Sequence, residues 1–290
     1  MKLFRDNAPF YKANFHTHTT ESDGRLTPAE SMALYRSLGY DILALTDHRR
    51  VTVPENVPDG LLTVPGIEID YMLETQAVHL LGLGVSTAFG GTFRACVTPQ
   101  EGVDGIRAAG GLAVLAHPAW SLNTPAFMAG LKNVTGVEVW NSVSAPPANA
   151  DRANSASLLD VTAALGQCWP FFANDDTHAY REEVGGGFTM VQADALTVPA
   201  VLSALEAGRF YASQGPQIYQ ITLEDGVMTV DCSPAEMVIF YSNVPWVRGR
   251  VVDGGNVTHA EHAIARGEKY LRCEIVDASG KRAWSGQFQL

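Results

Sequence analysis

The apolar positions of this chain fall into short runs separated by segments of helical spacing. Residues 13–16 form a first strand candidate. Residues 27–38 follow as a helix, with Thr27 as its cap, Pro28 in its first turn and Gly39 as its stop. Strands are expected at 41–45 (DILAL), at 61–64 leading into PGIEI, at 78–85, at 112–116 (LAVLA), at 136–140 (GVEVW), at 169–173 (WPFFA) and at 188–192. Helices are expected at 99–109, closed by Gly110-Gly111, around 153–165 and at 198–207. ILAL and LAVLA are apolar without alternation, as in strands of a parallel sheet covered on both faces. Strands and helices alternating in this number predict an α/β fold, either a β/α barrel or a related closed sheet.

The texture changes near Gly215-Pro216. Short alternating segments follow (IYQITLED, GVMTVDC, EMVIFYSN, EKYLRCEIVD, AWSGQFQL), punctuated by Asp225-Gly226, Asp253-Gly254-Gly255 and Ser279-Gly280. They predict a small antiparallel, sandwich-like β domain over 216–290, packed on a larger unit over 1–215. No internal repeat or low-complexity tract interrupts either part.

The 290 residues suit one large domain with a small partner, and 46% hydrophobic against 18% charged residues gives ample core material. The net charge of −11 opposes a general nucleic-acid binder, which needs clustered Lys and Arg. Carboxylates gathered around metals would contribute to that figure, because the formula omits the metals. Cys96, Cys168, Cys232 and Cys273 form no C-x-x-C pair and are expected to be reduced thiols. The first residues hold no apolar run of signal-peptide length, and no stretch is long enough to span a membrane. The expectation is a cytoplasmic protein with no membrane partner.

The polar residues gain meaning once placed on this map. His16 and His18 follow the first strand, and positions two apart on extended chain project to one side about 6–7 Å apart, close enough to grip one metal. Asp23 lies in the loop beyond, in ESDG; His48 follows the second strand, in LTDH; Glu68 ends the third, in PGIE. His79 opens the next strand, His117 follows LAVLA, and Asp176 and His178 follow WPFFAND, again two apart. Six of the eight histidines belong to this set. A single histidine after a strand is ordinarily a capping or surface group. The whole set at successive strand ends has no such explanation, because several buried imidazoles and three carboxylates are costly without metal or partners. In β/α barrels those ends converge on the active-site mouth. His259 and His262, three apart near the C-terminus, read as solvated residues of a loop or short turn.

HTHTTESDG, ALTDH, PGIEI, AVHLLG, LAVLAHP and NDDTH, in this order, resemble the polymerase and histidinol phosphatase (PHP) family of metallohydrolases over roughly 13–216. The region entered through GRFYASQGPQ is similar to that of two-domain PHP-like phosphoesterases and of the branch that includes carbaryl-type hydrolases. The resemblance implies a distorted seven-stranded (β/α) barrel with a site for two to three divalent ions of zinc, iron or manganese. It implies that His16, His18, Glu68 and Asp176 bind a first metal, that Glu68 bridges to a second held by His79 and His117, and that Asp23, His48 and His178 bind a third. A hydroxide bridging metals, held through Glu68 and Asp176, is the implied nucleophile.

Around these residues, Asp47 is expected to orient ligands from behind. Arg49, Arg50 and Arg181 are candidates for gripping a phosphate, and Asn141, after GVEVW, for contacting substrate. Trp120 and Trp140 are candidate pocket walls, with Tyr71 a lesser one. The leading expectation is an EC 3.1-type phosphoesterase acting on a small phosphorylated molecule, with no nucleic-acid partner. The alternatives are a hydrolase of carboxylic esters, carbamates or another uncharged bond using the same metals, a nucleic-acid processing module, and a non-catalytic metal-containing binding protein. Metals, substrate and oligomeric state are open at this point.

Overall fold

The computed structural model describes the whole chain, Met1–Leu290. In order, the elements are β1 (Phe10–Asn14), α1 (Pro28–Ser37), β2 (Ile42–Leu45), β3 (Leu62–Met72), β4 (Ala77–Leu83), α2 (Thr87–Thr92), α3 (Pro99–Ala108), β5 (Leu112–Leu115), α4 (Pro125–Gly130), β6 (Gly136–Asn141), α5 (Ala156–Ala164), β7 (Phe171–Asn174), β8 (Phe188–Gln192), α6 (Val198–Glu206) and β9 (Phe210–Ser213). The C-terminal strands are β10 (Ile218–Glu224), β11 (Val227–Tyr241), β12 (Val251–Ala263), β13 (Tyr270–Val276), β14 (Arg282–Trp284) and β15 (Phe288–Gln289). Local chemistry explains the sharp helix starts. Thr27 with Glu30, and Thr98 with Glu101, form reciprocal capping boxes ahead of Pro28 and Pro99.

The protein is a mixed α/β fold built on one large sheet, in the order β10-β11-β13-β14-β9-β8-β1-β2-β3-β4-β5-β6-β7 with β12 on β11 and β15 on β13. The sheet is not closed by strand pairing. Across the gap, two amides join the chain after β1 to the chain after β7. Phe15 N–H donates to Asn174 Oδ1 (2.8 Å) and Asp175 N–H to Asn14 Oδ1 (2.9 Å). Thr17 and Thr177 then form an isolated parallel bridge.

The expected parallel order holds for β1–β2–β3 and β5–β6–β7. It fails at β4, which runs antiparallel to both neighbours, and at β8 and β9. The cause lies in β3, which continues past Glu68 to Met72 and turns straight into β4 without a crossover helix. Glu68 therefore sits inside a strand, not at its end.

Strands apolar throughout do face two ways. Leu112 and Val114 join one buried cluster with Phe15, Ile42, Phe172 and α6, while Ala113 and Leu115 join another under α3 and α5. The C-terminal strands enclose a third cluster, to which Phe4 and Tyr211 also belong. There, GVMTVDC and EMVIFYSN are one long strand, β11, with register irregularities around Ala235. The Asp253-Gly254-Gly255 punctuation lies inside β12, as a bulge between the pairs Met237–Asp253 and Ala235–Val257. No helix is long and apolar enough to cross a membrane. The four cysteines are unpaired.

Candidate metal centre

Two segments lie side by side at the sheet gap, His16–His18 and Asp176–His178. They are fixed by Asp176 N–H donating to His16 O (2.9 Å) and His18 N–H to Thr177 O (3.0 Å). His16 and His18, two apart on extended chain, share a face, and Asp176 turns its carboxylate towards both of them and towards His178. The segment after β2 lies on the other flank, where Thr46 N–H donates to Thr17 O (2.8 Å) and His48 pairs with Glu68 in an isolated bridge. His79 enters because β4 runs backwards, so that the start of β4 reaches the same mouth as the C-terminal half of β3, with Asp70 opposite His79. His117 follows β5 directly.

The nine expected ligands converge in three groups, each with its donor atoms within 4.8 Å of one another. In the first, His16 Nε2 lies 3.3 Å from Glu68 Oε2 and 3.1 Å from Asp176 Oδ1, and His18 Nε2 lies 3.0 Å and 3.1 Å from the same atoms. In the second, Glu68 Oε1 lies 2.7 Å from His79 Nδ1 and 3.4 Å from His117 Nε2. In the third, Asp23 Oδ2 lies 3.7 Å from His48 Nε2 and 3.6 Å from His178 Nε2. His18 belongs to this group as well, with Nδ1 3.6 Å from Asp23 Oδ1.

His16 Nε2, His18 Nε2, His48 Nδ1 and Asp176 Oδ1 are buried and lack a hydrogen-bond partner. Four orphaned atoms meeting around one carboxylate are expensive for a protein alone, and nitrogen and oxygen donors at this spacing fit divalent transition ions. The rings are oriented from behind: His16 Nδ1 on Glu138 Oε1 (2.9 Å), His117 Nδ1 on Ser121 Oγ (2.9 Å) and His178 Nδ1 on Asp176 O (2.9 Å). Three residues of this mouth, Arg49, His117 and Asp176, have positive φ (60°, 27° and 55°), a strained backbone of the kind that collects at functional sites.

The charges are strongly coupled. Burial works against a charged His18, but the facing carboxylates of Asp176 and Glu68 overcome it and raise the ring to about 9. Burial would raise Glu68, yet the imidazoles of His16, His79 and His117 hold it well below the ordinary carboxylate range. Asp176 is lowered in the same way by His16, His18 and His178. Asp23 is lowered chiefly by the ring of His178 facing it at 3.6 Å.

The residues expected around the ligands divide. Trp120 packs edge-on against His117 (4.9 Å between centroids) and His79 (5.8 Å), and walls the cleft with Val143 and Asn149. Arg49 lines the more open side with Ser22, Asp23, His48, Asp70 and His79, where its guanidinium is bidentate on Asp70 (2.9 and 2.5 Å). Arg50 turns into a neighbouring groove and pairs with Glu21 (2.7 Å). Arg181 is exposed.

Asn141 is buried, and its amide is spent on Glu138 Oε2 (2.9 Å), Asp176 Oδ2 (3.1 Å) and Ser144, so it braces ligands from behind. Trp140 stacks on Trp284 (6.1 Å, 21°) as core. Tyr71 lies on the face of β3 opposite Glu68 and Asp70, with its hydroxyl against Gly102. Asp47 touches no ring; it accepts from Thr19 N–H (2.7 Å), Ser22 Oγ (2.8 Å) and Thr52 Oγ1 (2.6 Å), pinning the loop that carries Asp23. His259 and His262 lie on β12, not in a turn. His259 pairs with Asp231 on β11 (2.8 Å), while His262 is buried against Phe240 and Glu268.

Three acids went unread in the sequence. Glu138 is a fully buried carboxylate on β6. Asp70 anchors Arg49. Asp175 accepts from Tyr35, Tyr40, Ser142 and the Gly185 and Gly187 N–H groups, and burial raises it to about 6. The first had a signal, a lone charge inside the apolar run GVEVW.

No family model matches the chain. Among curated proteins it is 34% identical over 82 residues to the 5'-3' exoribonuclease Rnm of Salmonella typhimurium, a match covering 26% of this chain and 28% of that protein. It is 33% identical over 79 residues to the 5'-3' exoribonuclease Rnm of Escherichia coli, covering 25% and 27%. The match thus spans just over a quarter of the length of these relatives. Among solved structures, a two-domain protein of Bacteroides vulgatus containing a predicted PHP-like metal-dependent phosphoesterase aligns over 98% of this chain and 96% of its own, with TM-score 0.55 and 15% identity. A putative metal-dependent phosphoesterase of Bifidobacterium adolescentis aligns over 60% of this chain and 90% of its own, with TM-score 0.44 and 18% identity. The chain has the fold of the PHP-like two-domain protein, and at the level of fold that neighbour bears out the resemblance read from the motifs.

Proposed function

We propose that this protein is a metal-dependent hydrolase whose centre holds two to three divalent ions, with zinc, iron and manganese all compatible with the donor set. The observation that carries the reading is the convergence of His16 Nε2, His18 Nε2, His48 Nδ1 and Asp176 Oδ1, buried and unpartnered, around Glu68. The ligand sets we propose are His16, His18, Glu68 and Asp176; Glu68, His79 and His117; and Asp23, His48 and His178. Ions held there supply Lewis acidity and activate water near neutral pH. The catalytic unit is residues 1–215, with 216–290 as an accompanying β domain.

Within this class we favour a phosphoesterase acting on a small phosphorylated molecule. Arg49 supports it as a cation at the rim of the cleft, with Trp120 shaping the opposite wall. A second reading, hydrolysis of an ester, carbamate or other uncharged bond, draws on a different observation: Arg49 and Arg50 are each already neutralised, by Asp70 and Glu21. A nuclease is a third, suggested by the exoribonuclease relatives and opposed by the net charge of −11.

Elemental analysis paired with hydrolysis of p-nitrophenyl phosphate and p-nitrophenyl acetate separates these. About two to three metal equivalents, with phosphatase activity abolished in His16→Ala and Glu68→Ala, is the expected result. Bound metal with acetate hydrolysis alone moves the assignment to uncharged bonds. A chain that takes up no manganese, iron or zinc overturns the reading.

A further inference from the structure

We infer that Glu138 is the positioning residue that ties the first and second ligand groups together, holding the His16 ring and the His117 backbone through one carboxylate, so that its loss loosens those two groups and spares the third. The inference rests on the metal-hydrolase reading.

Glu138 lies in the middle of β6 and is 1% exposed. Both oxygens are used twice. Oε1 takes His16 Nδ1 (2.9 Å) and Asn174 Nδ2 (2.8 Å); Oε2 takes His117 N–H (2.9 Å) and Asn141 Nδ2 (2.9 Å). An ionised carboxylate only accepts, so His16 carries its ring hydrogen on Nδ1 and turns the Nε2 lone pair towards Glu68 and Asp176. The second oxygen fixes the amide of His117, whose φ of 27° is unusual for a residue with a side chain. The two amides extend the reach. Asn141 also donates to Asp176 Oδ2 (3.1 Å), and Asn174 Oδ1 accepts Phe15 N–H (2.8 Å), one residue before His16.

One carboxylate on β6 thus braces ligands that follow β1, β5 and β7. Apart from His18, which it shares with the first, the third group has braces of its own. His178 is held by the Asp176 carbonyl, and the loop of Asp23 by Asp47. None of the four donors to Glu138 comes from Asp23, His48 or His178.

Glu138→Gln preserves shape but not this pattern. A carboxamide has one oxygen and one NH2, so whichever way it is turned the NH2 faces two donors. Zinc affinity of the first and second groups is expected to fall about 10–100-fold, with the third unchanged. The experiment strips the full-length wild type and variant of metal, then titrates each with Zn2+ against a chromogenic chelator to count equivalents and rank affinities. Co2+ absorption reports coordination independently of activity, and His178→Ala identifies the third-group equivalent. Circular dichroism and thermal unfolding of the metal-free chains report the fold. A Glu138→Gln chain matching wild type in equivalents, affinity and Co2+ spectrum overturns the inference, and so does one that weakens all three groups alike. If Glu138→Gln does not fold, Asn141→Ala decides. It removes one donor and the link to Asp176, a loss of about 5-fold in first-group affinity is expected, and unchanged affinity overturns the inference. Failure of the underlying reading looks different, because the wild type itself then takes up no Zn2+ or Co2+.

Discussion

Arg49 shows how much chemistry depends on one residue's company. Its backbone is left-handed, its N–H is tied to Glu68 O (2.8 Å), and its guanidinium lies on Asp70 at the open side of the cleft. A phosphoryl oxygen arriving there would find a planar double donor already aimed by Asp70. Arg49→Ala is therefore expected to raise KM for p-nitrophenyl phosphate about 10–100-fold, the worth of a charge-assisted hydrogen bond, with a smaller change in kcat. Equal loss in kcat and kcat/KM would instead mean that Arg49 acts only at the transition state, and no loss would favour an uncharged substrate. The nine proposed ligands could be singled out because most of them follow or interrupt an apolar run where a histidine or acid has no structural reason to be, Asp23 in the ESDG loop being the exception. Asn141 was legible as polar and misread in role, since its direction depends on Asp176, 35 residues away. Asp70 stayed hidden because its meaning lies in Arg49 and His79 across the ladder.

Most of the longer helices and buried strands were read from periodicity to within a few residues, as at Phe188–Gln192 and Val198–Glu206, while the short α2, α4 and β9 were not. Strand direction was not, because β4 reverses through a short turn and an apolar strand looks the same either way. β12 was missed for another reason. Asp253-Gly254-Gly255 has the composition of a turn, and only the long partner β11 makes it a bulge. Between elements, the least sequence-visible link is Arg272 on β13. It is 1% exposed, bidentate on Asp160 of α5 (2.7 and 2.6 Å), paired with Glu274 (2.6 Å) and stacked over Tyr241 (3.9 Å). Arg272→Met keeps the apolar stem, strands Asp160 and leaves Glu274 to Arg282 alone (2.6 Å), so a loss of about 3–5 kcal/mol is expected by chemical denaturation. Thr98→Ala, which removes a capping box at the exposed start of α3, is expected to cost only about 1 kcal/mol and serves as the comparison.

At the scale of the whole molecule, the division near Gly215-Pro216 marks a change of composition, while the hydrogen bonds run across it. β14 pairs with β9, Gln287 N–H donates to Trp169 O (2.9 Å), and Trp284 stacks on Trp140. The opposite end of the chain closes the same junction. Leu3 N–H donates to Ile221 O (2.9 Å), and Phe4, 2% exposed, packs edge-on against Phe10 (4.9 Å) and Tyr211 (6.0 Å) inside the C-terminal cluster. A core shared in this way couples the two parts energetically, since opening one strands the buried surface of the other. Calorimetry of the full chain is therefore expected to give one cooperative transition. Phe4→Ala, which empties a site between the two parts at a cost of about 3–5 kcal/mol, should lower that transition as a unit. Two separated transitions, with only the C-terminal one moved by Phe4→Ala, would mean that the strands after Pro216 fold alone and that the metal centre needs nothing from them.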